Sequence, residues 1–182
     1  MLSKEKFWEL IDKARVANGG DTDGMHEWLV NWLVKNGDPS DAITFDYLVR
    51  EYTRLSYKYG LWTAAMVMSN GFRSDDGFHY FQMWLIAQGK EVYLNALANP
   101  DSLADVGVVG HSEFESLDYI GNDAYEALTE EDPYDLPVDK AEMTRIHNDA
   151  IQDIHYGEDI ESWHDEDVLE YLPNLCAAYP QK

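Results

Sequence analysis

Apolar residues recur every three or four positions along most of the first 130 residues, in blocks that end at glycine, proline or asparagine. The first block follows Ser3, which is the expected N-cap. In the third block, Phe45, Leu48, Tyr52 and Leu55 share one helical face, after the start signal Asp38-Pro39. No stretch shows the strict alternation of a half-buried strand. The pattern therefore predicts an all-α protein whose helices are joined by short turns.

The segment from Ser74 to Gly89 is apolar on nearly every side of a helix, with Phe81 and Trp84 on its most apolar face. A helix that is apolar all round is normally buried on all sides. We therefore expect a single-domain helical bundle around a buried central helix at about residues 75–88. Ser74 or the aspartate after it is the expected N-cap.

The chain changes character near residue 130. Before that point, Ser112-x-x-Glu115 has the pattern of a capping box and predicts a helix start. Residues 129–139 carry two prolines and many carboxylates, which indicates a loop or linker. We expect a bundle domain over residues 1–130 and an acidic helical extension over residues 131–182, with helices near 139–154 and 163–172.

Charge is the outlier of the composition. The formal net charge is −22, of which −2 falls in residues 1–90 and −20 in residues 91–182. Such a field repels nucleic-acid phosphates and anionic membranes and attracts basic partners. No apolar run reaches the length of a membrane span, and the N-terminal residues are charged where a signal peptide is apolar. With Cys176 as the single cysteine, these features predict a cytoplasmic protein.

Several segments resemble the bacterial domain of unknown function 4240 family over about residues 5–130. They are Phe7-Trp8, Leu61-Trp62, SDDGFHYFQMWLIAQGKEVY, NPDSLAD and the region of Tyr119 with Asp123 to Glu126. The family carries no established activity. The resemblance implies a helical cytoplasmic domain of bacterial type and supplies no catalytic residues, and it does not extend to the acidic segment after Thr129.

The turn at Asp75-Asp76-Gly77 is the best candidate for a small-ligand or enzymatic site. Two adjacent carboxylates can bind a metal or act as acid and base, and Arg73 and His79 lie beside them in the sequence. The alternative is that one carboxylate caps the helix and the other interacts with its dipole. Burial of the carboxylates would favour chemistry, whereas full exposure would favour capping.

Other patterns of known chemistry are incomplete. A calcium loop starting at Asp21 would need a glutamate at its twelfth position, where Trp32 stands. His147, His155 and His164 lie among carboxylates but lack the spacing of a zinc site. We therefore expect no catalytic residues, no metal and no cofactor.

The leading functional hypothesis is a non-catalytic acidic interaction or regulatory domain that binds a basic protein partner and makes no direct contact with nucleic acid. Nucleic-acid mimicry or inhibition of a nuclease or toxin would be its sharpest form. Candidate contacts are Trp163 with the neighbouring Asp165, Glu166 and Asp167, since an aromatic in an acidic surface can anchor a partner. Trp163 could equally fix the last helix to the bundle, and the charge could serve solubility alone.

Overall fold

A computed structural model describes residues 1–69, 74–108, 111–135, 138–160 and 165–180. Within these ranges the chain forms helices and no strand, which confirms the all-α prediction. Short 3₁₀ helices cover Pro100–Asp105, Glu115–Tyr119, Pro133–Asp135 and Ile151–Asp153. The α-helices are α1 Lys4–Asn18, α2 Thr22–Asn36, α3 Pro39–Leu55, α4 Tyr59–Met68, α5 Asp75–Ala87, α6 Lys90–Ala98, α7 Ile120–Thr129, α8 Lys140–Ala150, α9 Asp165–Tyr171 and α10 Pro173–Ala178.

Several helices begin at the capping residues that the sequence predicts. The side chain of Ser3 accepts a hydrogen bond from the Lys6 amide, and that of Ser74 accepts one from the Gly77 amide. Asp38 forms a reciprocal capping box at the start of α3. Each side chain satisfies an amide that has no partner inside its helix.

The α5 helix is buried along most of its length. Every residue from Phe81 to Ala87 is buried, and Trp84 is only 2% exposed. The helix packs against α1, α3, α4 and α6. Its apolar sides therefore all have neighbours, as its sequence requires. No helix in the described part of the chain is long and apolar enough to cross a membrane.

The predicted capping box at Ser112 and Glu115 is wrong. Glu115 begins a 3₁₀ helix that has no side-chain cap, and the α-helix starts only at Ile120. The reason lies in Phe114, which is buried and whose amide donates to the carbonyl oxygen of Tyr80 on α5. That contact holds the chain against α5 in a non-helical conformation where the capping box would require a helix.

Gly121 lies inside α7, one residue after its start. A Cβ atom at this position would lie 2.7 Å from the carbonyl oxygen of Ala42 and 2.8 Å from the Cβ of Asp46 on α3. The absence of a side chain therefore lets α7 approach α3 closely. The buried Ile120 and Ala124 of α7 belong to the same core.

The chain after residue 130 contributes to the core of the bundle. Ile146, Ala150, Leu172 and Leu175 are buried within one apolar cluster together with residues of α1 and α5. The predicted helix near 139–154 ends at Ala150 and continues as a 3₁₀ turn. The one near 163–172 is followed by α10, which packs on the 3₁₀ helix at 100–105 and on α4.

Candidate functional site

Carboxylates of the C-terminal segment bind lysines of the first half. Lys4 is 7% exposed, and its Nζ lies 3.3 Å from Asp149 and 3.0 Å from Asp153. Lys90 lies 2.8 Å from the same Asp153 carboxylate. Hydrogen bonds from Lys90 and Lys4 hold the pKa of Asp153 below its ordinary value, although burial opposes them. Because the partners come from distant parts of the chain, these ion pairs fasten α8 and its 3₁₀ turn to the bundle.

Two further carboxylates connect the chain before residue 130 with the C-terminal segment. Asp101, which is 7% exposed, accepts hydrogen bonds from the amides of Asn174 and Leu175 at the start of α10 and from the Asn174 side chain. Asp159 accepts one from the Gly60 amide near the start of α4. A helix start exposes amides that favour a negative charge. We refer to Lys4, Lys90, Asp101, Asp149, Asp153 and Asp159 as the clamp.

A second acidic region of the chain lies between Lys90 and Lys140, an interval whose sequence contains no lysine or arginine. Part of this interval lines an open groove of about 490 Å³. The groove lies where α2 begins, α5 passes and the chain enters the 3₁₀ helix at 115–119. Its lining residues are Thr22, Asp23, Tyr80, Glu113, Phe114, Glu115, Ser116 and Tyr119.

The groove combines exposed carboxylates with tyrosine rings. Asp23, Glu113 and Glu115 are exposed, and the Tyr119 hydroxyl donates to Glu115 at 3.4 Å. The Glu115 charge raises the pKa of Tyr119, and burial adds to the shift. Burial also raises the pKa of Tyr80, with a hydrogen bond to Glu115 as the next cause. A tyrosine ring beside carboxylates suits a cationic group placed above the ring face.

A family model described as a protein of unknown function (DUF4240) matches residues 2–127. The chain belongs to this family. No curated protein and no solved structure matches it. Bacterial origin and a cytoplasmic location stay predictions.

The groove and the clamp differ in how their residues lie relative to residues 2–127, which the DUF4240 model matches. Every lining residue of the groove lies within residues 2–127, whereas Asp149, Asp153 and Asp159 of the clamp follow that range. The lining of the groove therefore comes only from residues that the DUF4240 model matches. The C-terminal segment supplies Asp149, Asp153 and Asp159 of the clamp, whereas Asp101 comes from within residues 2–127.

The ligand candidates Asp75, Asp76 and His79 are not among the lining residues of the groove. Asp75 and Asp76 are exposed in the first turn of α5, where Ser74 is the cap. The Asp76 charge contributes to the raised pKa of Tyr80. His79 is half-buried and lies 3.5 Å from Asp118. This exposure favours the helix-dipole role for the two aspartates, while Arg73 lies outside the described residues.

The predicted partner contacts of the C-terminal segment are described only in part. Trp163 lies outside the described residues, as do the side chains of Asp165 and Glu166. Asp167 is exposed on α9, which packs against α10. The role of these residues as contacts for a basic partner stays a prediction.

Histidines and carboxylates form no metal site among the residues that the structure describes. His147 instead lies 2.7 Å from the buried carboxylate of Glu51, which also binds Arg54. His155 is exposed, and His164 lies outside the described ranges. Asp21, the first residue of the incomplete calcium-loop pattern, caps α2 by accepting a hydrogen bond from the Gly24 amide.

Sequence reasoning missed most of the groove. Tyr80 lies in the segment predicted to be buried on all sides, and Glu115 lies in the predicted capping box, so neither residue indicates a groove. A signal was present in the sequence, because the interval without Lys or Arg includes Glu113, Glu115 and Tyr119 close together. The contribution of Asp23 from α2 depends on tertiary contacts and has no local signal.

Proposed function

We propose that this protein is a non-catalytic interaction domain whose groove binds a basic segment of a partner protein. The observation that supports it is the lining of the groove. Three carboxylates lie there beside Tyr80 and Tyr119, and no lysine or arginine is among the lining residues that the structure describes. A lysine or arginine side chain can place its stem on the rings and its charge on the carboxylates.

The net charge of −22 extends this local preference over a longer range. A negative field raises the encounter rate with a basic partner and opposes acidic ones. Both effects weaken as salt shortens the screening length to about 8 Å at 0.15 M ionic strength. A cytoplasmic location is part of this proposal, since a single cysteine allows no intrachain disulfide.

The test measures binding of a fluorescein-labelled peptide of alternating arginine and glycine by anisotropy, at low and at high salt. The double variant Asp23→Asn with Glu115→Gln removes two groove charges. We expect its affinity to fall at least about tenfold at low salt, a difference of about 1.4 kcal/mol. The full chain is used, because truncation after Leu128 would remove buried Leu172 and Leu175 from the core.

The matched control is Glu91→Gln with Glu126→Gln. Both residues are exposed and lie outside the groove. Their replacement changes the net charge by the same amount as the groove variant does. We expect it to weaken binding less than about twofold, as for charges that act only through the screened field. Equal losses in both variants, or no binding by the unaltered protein, would refute the proposal.

A further inference from the structure

A second cleft lies between α3 and α7 and is independent of the groove. Its volume is about 120 Å³, and it shares no lining residue with the groove. The 3₁₀ turn after α7 forms its outer wall through Pro133 and Tyr134. Drug-sized ligands occupy about 300–1,000 Å³, so this cleft can hold only a small molecule.

A buried carboxylate lies at the cleft. Asp46 is 8% exposed, because α7 approaches α3 closely at Gly121. Its two oxygens lie 3.0 and 2.9 Å from the Nε of Arg50, one turn along the same helix. Burial raises the pKa of Asp46, while the Arg50 charge opposes this shift and Asp118 adds to it. An ionised carboxylate can accept about four hydrogen bonds, so acceptor capacity remains.

Hydrogen-bond donors also remain at this cleft. Arg50 binds Asp46 through Nε, and its two terminal nitrogens have no other partner within the described ranges. The Asn122 side chain likewise forms no hydrogen bond with any described residue. A guanidinium fork whose position is set by a carboxylate is suited to bidentate binding of an oxyanion. Tyr47, Tyr125 and Tyr134 supply aromatic walls.

These groups select for a ligand that carries both charges. The terminal nitrogens of Arg50 suit an oxyanion, whereas the field of a protein with net charge −22 opposes the approach of a free anion. The remaining acceptor sites of Asp46 suit an ammonium group. A zwitterion satisfies both groups and has no net charge for the field to repel.

We propose that the cleft binds a small zwitterionic amino acid, with its carboxylate on Arg50 and its ammonium group towards Asp46. Asp46 then has two roles, since it positions the guanidinium and accepts from the ligand. The tyrosine rings flank the pair, while the Arg50 side chain, which is 49% exposed, keeps contact with solvent. A cleft of about 120 Å³ suits a side chain as small as that of glycine, alanine or serine.

The test follows chemical shifts of the full ¹⁵N-labelled chain during titration with glycine, L-alanine and L-serine. Propionate and ethylammonium serve as probes because each lacks one charged group of alanine. We expect saturable shifts around Arg50 and Asn122 with an amino acid, and binding of either single-charge probe weaker by about tenfold or more. Propionate binding as tightly as alanine, or no saturation with any of the three amino acids, overturns the proposal.

Variants then test the assigned residues. Arg50→Lys keeps the charge but removes the fork, and we expect affinity for alanine to fall by at least about tenfold, the scale of one lost charged contact. Arg54→Lys is the matched control one turn further along α3 and outside the cleft, and it should bind as the unaltered chain does. Tyr134→Ala removes a wall that is 70% exposed, so folding should survive while affinity falls. Equal affinity in the Arg50 and Arg54 variants would contradict the assignment.

Discussion

The clamp and the groove are both acidic, but their carboxylates have different partners. In the clamp, Asp149 and Asp153 bind the buried Lys4. In the groove, Asp23 and Glu115 have tyrosines as neighbours and no lysine or arginine in the lining. The comparison shows that a net charge of −20 in the second half is not one functional surface. Part of that charge is paired with lysines and backbone amides inside the fold, and part is exposed at the groove.

Both regions rest on the same apolar core, so a core deletion should have the largest effect. We expect Trp84→Ala to lower the free energy of unfolding by about 3–5 kcal/mol, since a buried aromatic is lost and a cavity remains. Urea unfolding measures this loss. Trp32→Ala is the control, because that ring is only half-buried beneath Lys6. An equal loss in the control would contradict the placement of α5.

Replacement of Asp101, the most buried carboxylate of the clamp, should cause the next largest loss in the free energy of unfolding. Asp101→Ala leaves the amides of Asn174 and Leu175 without their acceptor. We expect a loss of about 2–4 kcal/mol in the free energy of unfolding, as for buried hydrogen bonds to a charged group. Asp105→Ala, at the exposed end of the same 3₁₀ helix, should change it little. Similar values for both would show that α10 does not depend on Asp101.

The ion pairs of the clamp should show a characteristic pH dependence. The pKa of Asp153 is lowered, so its ionised form stabilises the folded state above the ordinary pKa of about 3.9. That stabilisation is lost as the pH falls through the folded-state pKa. We expect Asp153→Asn to cost about 1 kcal/mol at pH 7, given its partial exposure. Chemical denaturation should show this cost shrinking as the pH falls below about 4.

The control for the pH effect is Asp167→Asn, an exposed carboxylate on α9. This substitution should leave the free energy of unfolding nearly unchanged both at pH 7 and below about pH 4. A cost for Asp153→Asn that stayed constant down to pH 2 would mean that the ion pairs with Lys4 and Lys90 contribute nothing.

Groove substitutions should have the smallest effect on stability. We expect Asp23→Asn with Glu115→Gln to change the free energy of unfolding by less than about 0.5 kcal/mol, as surface changes do. At low salt the sign should be a slight gain, because fewer like charges repel one another. A loss as large as that of Asp153→Asn would show that the groove carboxylates are structural.

The helices and the apolar core could be predicted from the sequence because their signals are local. Ser3, Asp38 and Ser74 mark helix starts, and the apolar pattern of α5 indicates a buried helix. The capping box at Ser112 failed because the Phe114 amide donates to the Tyr80 carbonyl oxygen of α5, in a non-helical conformation. A local motif predicts structure only where no distant contact competes with it.

The division between the two acidic regions could not be predicted, because it depends on contacts between distant residues. Lys4 and Asp149 are 145 positions apart, and Asp101 and Asn174 are 73 apart. Neither pair has a local pattern, so the sequence showed only the total charge of each half. The groove has the same property, since Asp23 meets Glu115 only after α2 packs beside the 3₁₀ helix at 115–119.

A comparison of two double variants tests most directly whether the groove carboxylates serve binding while the clamp carboxylates serve stability. One is Asp23→Asn with Glu115→Gln in the groove, and the other is Asp149→Asn with Asp153→Asn in the clamp, each removing two charges. For both, peptide affinity and the free energy of unfolding are measured in the same buffer. We predict that the groove variant loses affinity and keeps its stability, while the clamp variant loses stability and keeps its affinity. Equal losses of affinity in both would mean that only the total charge matters.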